Sequence, residues 1–83
     1  MKVVLVKFQD PTTHDQWVLM SGVDQSLPRL GFACGFLLEE NDKVVKVALL
    51  LGQDKEIVSN WIDIPAGCVV SIDELKEVDW SNA

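Results

Sequence analysis

Gly31-Phe-Ala-Cys-Gly-Phe-Leu-Leu-Glu-Glu-Asn-Asp-Lys-Val-Val-Lys-Val-Ala-Leu-Leu-Leu51 decides how this chain folds. Two apolar runs flank a polar corner at Glu40 to Lys43, the pattern of two strands joined by a short turn with Asn41-Asp42 at its apex. In the first run, Phe32, Cys34, Phe36 and Leu38 share one face, and Ala33, Gly35 and Leu37 the other. Small residues at 33 and 35 admit a close backbone or a bulky side chain, or a bend in the strand. In the return run, Val45, Val47, Leu49 and Leu51 are expected inward, Lys46 and Ala48 outward, with Leu50 an exception.

Outward from this hairpin, Val4, Val6 and Phe8 alternate with Lys7 and Gln9 as a half-buried strand does, and Asp10-Pro11 ends it. Gln16-Trp-Val-Leu-Met20 fits either a strand or a single helical turn. Ser21 to Leu30 has the composition of a loop, with Leu27 and Leu30 as its anchors. Ile57-Val58 and Trp61-Ile-Asp-Ile64 supply a further strand, stopped by Pro65-Ala-Gly67. Cys68 to Leu75 supplies the last, with Cys68, Val70 and Ile72 on one side. No segment has ten residues of helical periodicity, which excludes a bundle and a βαβ unit. The expectation is an all-β fold, a small closed barrel of about five antiparallel strands with a loop or short helical turn between the first two. Closure would remove the edges that a flat sheet exposes.

Eighty-three residues allow one domain, spanning 1–83 with a short C-terminal tail. Thirteen acidic residues against seven basic ones give a charge of −6, and the basic residues are scattered singly. A duplex-binding protein needs them clustered, so direct nucleic-acid binding is not expected. The apolar run Val47 to Leu51 is too short to cross a bilayer, and Met1 to Lys7 lacks the pattern of a signal peptide. A cytoplasmic protein without membrane association is the resulting expectation. Cys34 and Cys68 read as buried thiols in neighbouring strands. With His14 the only histidine, neither a metal site nor a cofactor is expected.

Trp61-Ile-Asp-Ile-Pro-Ala-Gly-Cys-Val-Val-Ser-Ile72, followed by Leu75, resembles a segment of many small phage or prophage proteins that carry Ile-Pro-x-Gly-Cys-Ile/Val-x-x-Ile-x-x-Leu near the C-terminus. Gly35-Phe-Leu-Leu-Glu39 is similar to their upstream Gly-[Phe/Trp]-Leu-x-Glu. The resemblance covers residues 31–75. It implies an SH3-like barrel in which Ile64 to Gly67 forms the tight turn before the last strand, and it brings no catalytic residues.

The candidate site residues are Trp17, Arg29, Trp61 and Trp80. Three tryptophans are many for so small a core, and aromatic anchors dominate protein interfaces. The competing assignment places Trp17 and Trp61 as caps over the barrel ends. Arg29, the only arginine, offers a fork for a carboxylate or phosphate. Cys34, His14 and Asp15 would form a triad only if the fold gathered them. Asp10, Asp15, Asp24, Glu39, Glu40 and Asp42 would form a carboxylate patch only if their loops shared one end. The expected function is a non-enzymatic protein-interaction module, phage-encoded as the resemblance implies, that binds a host or phage protein, with homo-oligomerisation open. The alternative is a small-ligand or nucleotide-binding barrel using Arg29 and a tryptophan as its clamp.

Overall fold

A computed structural model describes residues 1–10, 17–23, 29–52 and 57–79. Strands β1 (Lys2–Asp10), β2 (Arg29–Glu40), β3 (Val44–Leu51), β4 (Val58–Pro65) and β5 (Val69–Glu77) form one sheet in the order β4-β3-β2-β1-β5. Every pairing is antiparallel. Short 3-10 turns occupy Met20–Gly22 and Ala66–Cys68.

The all-β expectation holds, but the closed SH3-like barrel does not. β4 and β5 lie at opposite edges and do not pair, so the sheet is open. It is nevertheless curled. Five strands laid flat would make a layer about 10 Å thick, whereas the molecule measures 59 × 22 × 19 Å. Only Ala66–Cys68 separates β4 from β5, which draws the two edges together at that end. The radius of gyration is 16.6 Å, against about 12 Å for a compact chain of this length.

The edges stay apart because each is blunted by its own residues. Asn60 in β4 adopts φ 56°, between the paired Ala48–Trp61 and Leu50–Ser59, and breaks the run of extended backbone. Pro65 ends that strand without an N–H to donate. β5 shifts register against β1 at two places and carries Asp73, Glu74, Lys76 and Glu77. Charge, bulge and proline are the ordinary means of protecting an unpaired edge.

The core is small and aliphatic. Val4, Val6, Val45, Val47 and Ile64 are buried, with Phe8, Ala33, Leu37, Cys68, Val69 and Ile72 packed against them. Gly31, Ala33 and Gly35 are the inward positions of β2, opposite Phe8, Val6 and Val4. A Cβ on Gly31 would stand 2.7 Å from the Phe8 ring, so the phenyl group occupies the space a side chain would need. A Cβ on Gly35 would collide with the Ala48 carbonyl oxygen. Small residues thus let β2 lie close under its neighbours and bend.

Three sequence expectations are corrected by this arrangement. Cys34 is exposed on the outer face and does not share an interior with Val47 and Ile72; Cys68 sits in the 3-10 turn, half-buried against the core. Val70 points outward while Val69 packs inward, because the register shift at Lys7/Phe8 adds a residue to β5. Arg29 and Leu30 belong to β2 rather than to a loop, and Leu30 is exposed rather than an anchor.

The β2–β3 corner forms where the sequence places it. Asn41 Oδ1 accepts hydrogen bonds from the N–H groups of Lys43 (2.8 Å) and Val44 (2.9 Å), and Asn41 N–H donates to the Val44 carbonyl (3.1 Å). Its Nδ2 donates to Glu39 Oε1 at 2.9 Å. One side chain therefore satisfies the turn that a backbone alone would leave open. Asn41→Ala is expected to cost about 1 kcal/mol, read as a lower urea midpoint with unchanged slope; an unchanged midpoint would contradict this role.

Candidate functional site

The outer face of the sheet carries the side chains that β2 keeps out of the core. Direct cross-strand partners run Val3–Phe36, Phe36–Ala48 and Ala48–Trp61, a continuous row across four strands. Ala48 is wholly buried in this row although it faces outward, flanked by the two aromatic residues. Beside the row, Cys34 and Phe32 continue along β2 and Leu50 along β3, all exposed. Phe32 is 65% and Trp61 55% accessible. Charges of both signs border the apolar group: Lys7 pairs with Phe32, Lys76 with Val3 and Asp73 with Leu5 on the same face. Lys46 and Asp63 neutralise one another at 3.2 Å on its border.

A second apolar surface lies in the β1–β2 connection. Trp17, Val18, Leu19 and Met20 are all exposed, Trp17 at 103% and Met20 at 88%. Among the described residues, none covers the Trp17 indole. Isolated exposed hydrophobic residues are ordinary on a protein surface, whereas contiguous groups of this size mark interaction sites.

Of the four candidate residues, Trp17 and Trp61 both stand at exposed apolar surfaces, so neither caps the sheet. Trp80 lies outside the described residues. Arg29 opposes Asp10 at the far end of the β1–β2 ladder. It is seven positions along β2 from Phe36, which is linked to Trp61 through Ala48, a separation of about 23 Å along the strand. Arg29 and Trp61 therefore form no clamp. The imagined carboxylate patch also separates: Asp10 is at one end of β1, and Glu40 lies eleven positions along β2 from Arg29, about 36 Å away. Asp15 and Asp24 lie outside the described residues, as does His14 of the triad.

On the concave side, Lys2, Val4, Leu37, Glu40, Ile72 and Glu74 line an open cleft of about 170 Å³. Lys2 Nζ stands 3.7 Å from Glu74 Oε2. Pockets for drug-sized ligands usually span about 300–1,000 Å³, and two carboxylates at this mouth repel phosphate. Among the described residues, no three His, Cys, Asp or Glu side chains gather in a metal-binding arrangement, and no helix is long and apolar enough to cross a membrane.

Sequence reasoning named Trp61 but missed its companions Phe32, Phe36 and Leu50. The signal was present, since large residues alternate with Ala33 and Gly35. Deciding which set faced the core required knowing that Val4, Val6 and Phe8 fill the space above the small ones.

Compared with known proteins, the chain matches no family model, no curated protein and no solved structure. The geometry alone defines its class: an open, curled, all-β sheet with a small aliphatic interior and an aromatic exterior.

Proposed function

We propose that this protein is a non-enzymatic interaction module that binds another protein through the outer face of its sheet. The observation that carries the reading is the row of Phe36, Ala48 and Trp61, flanked by exposed Phe32 and Leu50. Burying aromatic side chains of about 150–250 Å² each supplies the kind of central anchor on which protein interfaces depend. The resemblance of residues 31–75 to small phage proteins supports a partner from a phage or its host. Nothing in the concave cleft favours the nucleotide-binding alternative.

Capture on immobilised full-length protein tests this reading. A saturable protein partner is expected from lysate, lost with the double variant Phe32→Ser, Trp61→Ser while folding is retained. Equal capture by that variant, or stabilisation by nucleotides in place of protein capture, would contradict it.

A further inference from the structure

Two uncovered apolar surfaces on one chain raise the question of whether they meet. Among the described residues of one chain they do not: Trp17 to Met20 and Phe32, Leu50 and Trp61 are all exposed. We infer that the outer face of one chain receives the Trp17–Met20 arm of a second copy, so that the protein assembles head to tail. This inference rests on the reading that the outer face binds protein.

Charge permits such a junction despite a net −6. Residues 17–20 carry no charge, nor do Phe32, Cys34, Phe36, Leu50 and Trp61, so the mutual repulsion of two acidic chains is not concentrated where they would touch. Area supports it as well. Trp17 offers about 250 Å²; with Val18, Leu19 and Met20 the arm approaches the roughly 800 Å² per partner of a stable interface. Extension through the sheet edges is the less suitable route, because Asn60, Pro65 and the charges of β5 obstruct both edges.

Face-to-face packing of two sheets would cover the outer faces but leave four large apolar residues of each arm in water. Arm-on-face contact covers both surfaces at once. Repeated head to tail, the contact is heterologous and generates a ring or a filament; exchanged reciprocally between two chains, the same contact closes a two-fold dimer.

The native Cys34, exposed on the receiving face, provides the trap. Met20→Cys is made in a Cys68→Ala background; the arm substitution should leave folding intact because Met20 is exposed, and it keeps Trp17, Val18 and Leu19 of the arm for the contact. Under mild oxidation, disulfides joining position 20 of one chain to Cys34 of another are expected, giving a ladder of oligomers on non-reducing gels. Light scattering of the untrapped wild type should show a mass that at least doubles with concentration. Trp17→Ser and the Phe32→Ser, Trp61→Ser double variant should each stay monomeric alone, yet form a dimer when mixed.

Disulfides between two Cys34 residues alone would overturn arm-on-face assembly but leave the face as a protein-binding surface. A disulfide from 20 to 34 within one monomer would overturn both readings. A monomer at every concentration with no cross-link would overturn the assembly, leaving partner capture to decide the function of the face.

Discussion

Gly35→Val is expected to abolish the folded state. The added side chain would start where the Ala48 carbonyl oxygen already sits, with Val47 Cγ1 3.0 Å away. Retreat is blocked, because the pairs Phe36–Ala48 and Leu37–Val47 begin at the next residue and hold the two strands in register. Overpacking typically costs about 1–3 kcal/mol where neighbours can yield. Here the obstacle is backbone, and the whole chain has only about 4–12 kcal/mol of stability. Gly35→Ala should lower the unfolding free energy by about 3 kcal/mol. Gly67→Ala is the control, since a Cβ there meets nothing within 4 Å; it should change stability by less than about 0.5 kcal/mol. Circular dichroism and urea titration give the comparison. Gly35→Ala with the stability of Gly67→Ala would contradict the close approach of β2 and β3.

The second large effect contrasts two residues of β4 on opposite faces of the sheet. Ile64 is 2% accessible in the aliphatic core, and Trp61 stands on the outer face. Ile64→Ala is expected to cost about 2–5 kcal/mol, the usual range for emptying a buried aliphatic site. Trp61→Ser, although it removes far more apolar surface, should cost about 1 kcal/mol or less in the dilute monomer, since mainly cross-strand packing on Ala48 is lost. Its larger effect should fall on binding and self-association. A reversed ranking of the two variants in urea would place Trp61 in the interior and remove the basis for an outer interaction face.

Much of the fold is legible in the sequence, because period-two patterning and turn chemistry are local. The strand starting at Lys2, the corner at Asn41-Asp42 and the stop at Pro65-Ala-Gly67 follow from neighbouring residues. Which face of β2 turns inward is not local. Phe32, Cys34 and Phe36 are the more hydrophobic set, and hydrophobicity alone would bury them. Phe8, Val6 and Val4 instead pack over Gly31, Ala33 and Gly35, a fit visible only once the β1–β2 register is known. Closure was equally out of reach. Whether two edges join depends on the left-handed backbone at Asn60 and the extra residues in β5, and neither leaves a mark in composition. For the site, the surplus of tryptophan pointed to the outer surface through Trp61 and to the arm through Trp17. Arg29 was singled out for its chemistry, but the fold places it at the far end of the sheet.

Native-state alkylation of the two thiols tests the division between faces most directly, because Cys34 lies on the outer face and Cys68 packs against the core. In dilute protein, Cys34 is predicted to react at a rate close to that of an unstructured thiol and Cys68 many-fold more slowly. Raising the protein concentration should protect Cys34 while leaving Cys68 unchanged. Rapid labelling of Cys68 with Cys34 protected at every dilution would contradict the account, since it would put the aromatic side of β2 inside the protein.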